Sequence, residues 1–474
     1  MGPARARARH QGGMMAAPSY ARDCLAAFSH ALKYDAIPDD AVHAAKRFLL
    51  DSLACIVGGW NEPSARIARA AALEFGGRRE SRILLTGEKV SALNAVLANG
   101  VPLRALDLID MYYALDHAHP CELSVTPALA VGERVGASGK KVLAAIVLGY
   151  EICMKLAEIT GNTRKGWAGT ATLGQFASPL VAGYLLGLGR RQLAEALSIS
   201  GCHNVSLAVA YDLPVSMMKD TLNVFAAQSG VQAALLAQRG FTGPAGVFED
   251  KGGLWPQLES AATANSLVEG LGAPLRITRC GFKDYRYSAV AWSHPALEAL
   301  FRLRETHGLR AGNVAAIRVR TIRRATSQIN NRPLEAGFNR LDTQFNGPYI
   351  FAAAVKFGDL APHRQNKARD PEIQELARKV VIETDASLDP LFPAKFPGIV
   401  EVTTTDGRKL EARVDHRRGD PANPLTDADI EQKFRSLAAR KLSATQVRKI
   451  IAAVWSLERI ADVNQLTALF KRVR

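Results

Sequence analysis

Residues 399–414 read IVEVTTTDGRKLEARV. Two short runs, 399–404 and 409–414, alternate β-branched and polar residues around Asp406-Gly407, the kind of dipeptide that most favours a tight two-strand turn. This hairpin signal, the strongest in the chain, shows that the fold is not purely helical. Working outward, 314–321 (VAAIRVRT) and 380–383 have the same β character, and the spacing predicts helices over 294–306 and 349–357 between these runs. Residues 275–415 therefore read as an α+β lobe, with the texture changing just after Pro274.

Both flanks are helical in period. Residues 39–57 (DDAVHAAKRFLLDSLACIV) open with two acids and predict an amphipathic helix ending at Gly58-Gly59. Further helices are expected over 91–99, stopped by Gly100, and over 125–135, 141–160, 190–200 and 222–239. Thr426 with Asp429 and Ser443 with Gln446 match capping boxes opening helices over 427–440 and 444–457. These C-terminal helices are expected to pack back onto the first ones. The expected fold is mainly α with an α+β part. A large discontinuous all-helical domain (20–274 and 416–474) carries a smaller α+β lid domain (275–415), with the functional cleft between them. The basic leader, residues 1–19, is expected to be disordered or an overlong start, with Met14 or Met15 as alternative beginnings.

The 474 residues, 48% hydrophobic and 22% charged, suit a globular protein with a large core. The net charge of +15 raises the question of nucleic acid. The Lys and Arg residues are scattered and not interleaved with aromatics, so no nucleic-acid partner is expected, and the excess base suits small anions instead. Six dispersed cysteines without C-x-x-C indicate reduced thiols and a cytoplasmic location. The most apolar stretch, 171–189, carries Gln175, Ser178 and Pro179 and suits a packed internal helix better than a membrane span.

Chemistry concentrates in residues 104–130, RALDLIDMYYALDHAHPCELSVTPALA. Asp107 and Asp110, three apart, share a face if that segment is helical. Pro120 pushes His119 out of helix, a usual way to line a pocket with titratable groups. A solvated loop with capping aspartates competes with that reading. The His-x-His of His117 and His119 lacks the spacing of a zinc signature, so no metal is assigned. Cys121 leaves a thiol-nucleophile alternative, and His203, in an apolar setting, reads as a core histidine.

Beyond these local patterns, LLDSLACIVGG (49–59), the 98–120 stretch, GASGKKVLAAIVLGYEI (136–152), GWAGTATLGQFA (166–177), the 218–244 segment beginning MKDTLNVF, SHPALEAL (293–300) and NGPYIFAAAVKFGDL (346–360) follow one another along nearly the whole chain. In this the chain resembles the MmgE/PrpD family, which includes 2-methylcitrate dehydratase, cis-aconitate decarboxylase and iminodisuccinate epimerase. The resemblance implies a helical domain with an α+β lid, a homodimer, no cofactor, and a small anionic carboxylate substrate that loses a proton next to a carboxylate. On the family motifs, Asp107 matches the first and Asp110 the third acid of Asp-Phe-Asp-Asp-Thr. His119 matches the histidine of His-Pro, Lys219 the pocket lysine, His294 a histidine near the lid start, and Tyr349 the lid tyrosine.

The roles implied are His119, oriented by Asp107, as acid or base, and Lys219 as the cation for a substrate carboxylate. His294 and Tyr349 would be a second proton donor and a hydrogen-bonding group, and Asp110, Lys219 and Tyr349 would contact substrate. Met111, Ala168 beside Trp167, and Val290 stand where relatives carry polar residues, the last two where the decarboxylase has histidines. The reading is therefore a cofactor-independent lyase, a dehydratase of a hydroxylated di- or tricarboxylate similar to 2-methylcitrate. An epimerase or isomerase and a non-catalytic carboxylate-binding member are its alternatives.

Overall fold

The computed structural model describes residues 20–161, 166–203 and 205–471. The expected leader, residues 1–19, lies outside the described residues. The chain is mainly α with an α+β part. Its apolar side chains form two clusters. One draws on residues 21–282 and on 425–470, and the other on 287–414 together with Met111 and Val215.

The first cluster is a stack of helices in which small residues set the approach. Asp39–Gly58, Ala92–Ala105, Pro120–Val135, Gly139–Ile159, Ser178–Leu186 and Leu222–Gln238 are its long members. A Cβ on Gly59 would lie 2.1 Å from Pro102 O, and one on Gly149 2.3 Å from Ser124 Oγ, so these contacts require glycine. The helix expected to stop at Gly100 instead runs through Gly100 and Pro102 to Ala105. Gly100 is a packing residue there: a Cβ would meet Val224 Cγ1 at 2.8 Å. The stretch expected as one internal helix is two, Gly169–Gly174 and Ser178–Leu186. No described helix is long and apolar enough to cross a membrane.

The second cluster is built on a four-stranded sheet in the order Val380–Thr384, Val314–Thr321, Gly398–Thr404, Lys409–Val414. The first pair is parallel and the others antiparallel, with Val319 opposite Ile382 and Val400. In Val314–Thr321, Ile317, Val319 and Thr321 are buried and Arg318 is exposed, the alternation of a one-sided sheet. Helix His294–His307 packs on the hairpin strands, and Gly347–Phe357 packs against it in turn. After the sheet, Asp427–Ala438 returns to Asp39–Gly58, opened by the expected Thr426–Asp429 capping box.

Candidate active site

Helix Ala92–Ala105 delivers Arg104 in its last turn and then ends. Asp107 takes φ +54, a left-handed conformation that costs a non-glycine residue about 1 kcal/mol or more. The helical face expected for Asp107 and Asp110 therefore does not form. The carbonyls a helix end leaves unpaired are bonded here by side chains from distant segments. Gln344 and Arg340 donate to Ala105 O, Ser288 Oγ to Leu106 O, Lys283 Nζ to Asp107 O and Lys433 Nζ to Leu108 O.

This turn places the Asp107 carboxylate among three cations. Lys283 Nζ lies 3.0 Å, an Arg104 guanidinium nitrogen 3.4 Å and Lys219 Nζ 3.6 Å from its oxygens. Burial alone would raise its pKa, but the cations override burial and hold the carboxyl well below the usual range. Asp107 stays ionised and is a counterion, not a base. Burial lowers Lys283 to about 8 although Asp107 pulls the other way.

His119 caps helix Pro120–Val135 with φ −118 and ψ 81, the non-helical residue expected before proline. Its Nδ1 lies 2.5 Å from Asp110 O. A carbonyl only accepts, so Nδ1 carries the proton and Nε2 is the bare acceptor. Burial, then the charges of Arg104 and Lys283, push the imidazole pKa well below its ordinary value. His119 is thus a neutral imidazole with a fixed tautomer, held by the main chain of Asp110 and not by the Asp107 carboxylate.

Arg104, Asp107, His117, His119, Thr170, Tyr211 and Lys283 line a cavity of about 90 Å³. Met111, Ala168, Val290, Ala291, Trp292 and Phe345 form its apolar wall. It shares His117, Trp167 and Gln328 with a wider basin of about 620 Å³ whose rim carries Arg323 and Arg324. Thr170 Oγ1 is buried without a hydrogen-bond partner. Among the described residues no group of three or more His, Cys, Asp or Glu is arranged to hold a metal ion.

Of the residues singled out from sequence, Asp107 and His119 meet at this cavity; Asp110, Lys219, His294 and Tyr349 do not line it. Lys219 is fully buried one layer behind, with Gln344 Oε1 at 3.0 Å and Asp220 Oδ1 at 3.4 Å. Asp110 accepts the Cys121 amide at 3.0 Å, and burial pushes its carboxyl up to about 7. His294 donates from Nε2 to Ala289 O at 3.0 Å and packs edge-on against Tyr287. Tyr349 is a core residue, its hydroxyl donating to Arg364 O at 3.1 Å.

Burial also pushes the Cys121 thiol well above its ordinary value, which disfavours the thiolate that a thiol nucleophile requires. His203 is exposed, with Nδ1 3.0 Å from Ser229 Oγ, and is not a core residue. Sequence reasoning assigned no role to Arg104, although it begins the quoted stretch, and missed Lys283. The only cue for Lys283 was a lysine in the aromatic-rich run 280–292 (CGFKDYRYSAVAW), which also carries Asp284 and Arg286.

Comparison with known proteins bears on this site. The model of the MmgE/PrpD N-terminal domain matches residues 23–266, and that of the MmgE/PrpD C-terminal domain matches 287–459. A cis-aconitate decarboxylase of Aspergillus terreus is 26% identical over 92% of this chain and 93% of its own length. The cis-aconitate decarboxylase of Homo sapiens is 25% identical over 93% of this chain and 92% of its own. A mitochondrial 2-methylcitrate dehydratase of Yarrowia lipolytica is 24% identical over 90% of this chain and 86% of its own.

Proposed function

The chain belongs to the MmgE/PrpD family, and from that premise we propose a lyase that removes a proton next to a carboxylate, a dehydratase of a hydroxylated di- or tricarboxylate similar to 2-methylcitrate. The observation that carries the proposal is His119: a buried, neutral imidazole with Nε2 bare, in one cavity with the cations of Arg104 and Lys283. Arg104 holds the substrate carboxylate. His119 Nε2 takes the proton from the adjacent carbon, and the two cations face the enolate-like charge as it develops. The electron pair forms the carbon–carbon double bond as the hydroxyl leaves, and the Lys283 ammonium supplies the proton that makes it water. Both groups then re-equilibrate with solvent.

The relatives include decarboxylases, in which carbon dioxide would be the leaving group. The apolar residues at Met111, Ala168 and Val290, all on the cavity wall, favour dehydration here. A second reading, epimerisation by the same abstraction, draws support from His117, whose ring lies 6.1 Å from that of His119 and could return the proton from another side. If neither reaction occurs, a non-catalytic carboxylate-binding protein is the remaining reading.

The proposal includes a division into 20–274 with 416–474 and a lid of 275–415. It includes a homodimer, supported by the exposed apolar residues Val205, Leu207, Val209, Met217 and Met218. A cytoplasmic location is also included, consistent with the free cysteines.

Proton NMR of the protein in heavy water with citrate, 2-methylcitrate, cis-aconitate, malate and iminodisuccinate tests the proposal. New alkene signals, or their loss by hydration, support the dehydratase. Deuterium at an α-carbon without elimination supports the epimerase, and no exchange with any of them overturns both.

A further inference from the structure

Resting on the reading that this cavity holds a carboxylate, we infer that its substrate carries a short apolar arm at the position where a citrate-type molecule carries its third carboxylate. Two observations lead there. The first is charge. The cavity wall carries Arg104 and Lys283 as cations against the ionised Asp107, with His119 neutral. The third cation, Lys219, does not line the cavity and is shared among Asp107, Asp220 and Gln344. Such a site neutralises one carboxylate well and has little left for three.

The second is the apolar part of the lining. Met111, Val290, Ala291 and Phe345 offer no hydrogen-bond donor, and the Trp292 ring beside them is fixed by Tyr113 at 5.0 Å, Phe396 at 5.3 Å and Phe392 at 5.9 Å. Arg324, stacked 5.5 Å over Trp292, spends its guanidinium on Leu115 O and Asp116. A carboxylate pressed on Met111, Val290, Ala291 and Phe345 loses its water and gains no side-chain partner, whereas an alkyl group gains by leaving water; the Trp292 indole N–H is a donor beside them. The aromatic packing holds the Trp292 ring in place.

Two ligands of nearly the same shape separate the cases. Isobutylsuccinate and tricarballylate share a succinate body and differ in an arm ending in two methyl groups or in a carboxylate. Titration calorimetry of the full chain with each is expected to give tighter binding of isobutylsuccinate, by roughly tenfold or more. Equal or tighter binding of tricarballylate overturns the inference, and so does failure of both to bind. Heavy-water exchange on the same samples keeps the two claims apart. Tight tricarballylate binding with turnover of a tricarboxylate sinks the apolar arm and leaves the lyase standing. Tight isobutylsuccinate binding with no exchange in any carboxylate sinks the lyase and leaves the binding preference.

Discussion

The Lys283 ammonium reaches Asp107 Oδ2 at 3.0 Å while burial brings its pKa to about 8, so its charge changes within the ordinary working range. If Lys283 protonates the leaving group, the rate falls as pH rises through about 8. Lys283→Arg, which stays charged, lowers the rate but removes that alkaline limb. His119 is held well below the ordinary histidine value, so the acid limb lies below pH 6.5. A pH–rate profile of the two proteins reads both limbs. His119→Ala should lower turnover by about a hundredfold or more with the fold intact by circular dichroism, and unchanged turnover would remove His119 from the mechanism. Asp110 carries a stability prediction instead. Its folded pKa, pushed up by burial to about 7, lies above the unfolded carboxylate value. The folded state therefore gains from binding the proton at low pH, and that gain is lost as pH rises from about 4 through about 7. The loss is on the order of 4 kcal/mol. Asp110→Asn keeps an acceptor for the Cys121 amide, so its advantage over the wild type in Tm should grow across that interval. A constant difference in Tm from pH 4 to pH 8 would show that Asp110 does not titrate as described.

At the scale of elements, the end of helix Ala92–Ala105 is fixed by residues from the second apolar cluster as much as by its own sequence. Ser288→Ala leaves Leu106 O without its donor. The expected cost is about 1–3 kcal/mol in denaturant unfolding, with a fall in turnover because Asp107 and Lys283 lie on either side of that bond. A stability loss with full turnover would mean that the clamp does not position the site. The same helix marks the limit of sequence reading. Strands Val314–Thr321 and Lys409–Val414 and the capping boxes at Thr426 and Ser443 were legible because their signals are local: alternation, Asp406-Gly407, and side chains bonding amides three residues away. Gly100 misled because a helix interior tolerates glycine when a neighbour must come close, and that neighbour, Val224, is remote in sequence. At the site, His119 was legible from the proline that follows it. Lys283 was not, since its burial depends on Asp107, and no periodicity reports a contact between segments so far apart. For the same reason the family motif singled out Lys219 but gave no sign that it pairs with Asp107 without lining the cavity.

For the molecule as a whole, the site is completed only when the C-terminal helices return. Lys433, on helix Asp427–Ala438, is fully buried and donates to Asp51 Oδ1 at 2.6 Å, to Leu108 O at 2.6 Å and to Lys283 O at 2.9 Å. One ammonium thus ties helix Asp39–Gly58, the turn after Asp107 and the segment that carries Lys283. Buried pairs of this kind add little net stability but are costly to break on one side, because the remaining charge has no partner and no water. Lys433→Met should therefore destabilise by about 3–5 kcal/mol in denaturant unfolding. The double variant Asp51→Leu with Lys433→Met removes both charges and should recover most of that loss. It should not recover turnover, since Leu108 O and Lys283 O still lack their donor and the two flanks of the cavity are no longer held in register. If the double variant turns substrate over like the wild type, Lys433 acts only as the counterion of Asp51. If stability returns and turnover does not, the long-range tie positions the site, and the helices after the four-stranded sheet are part of what assembles it.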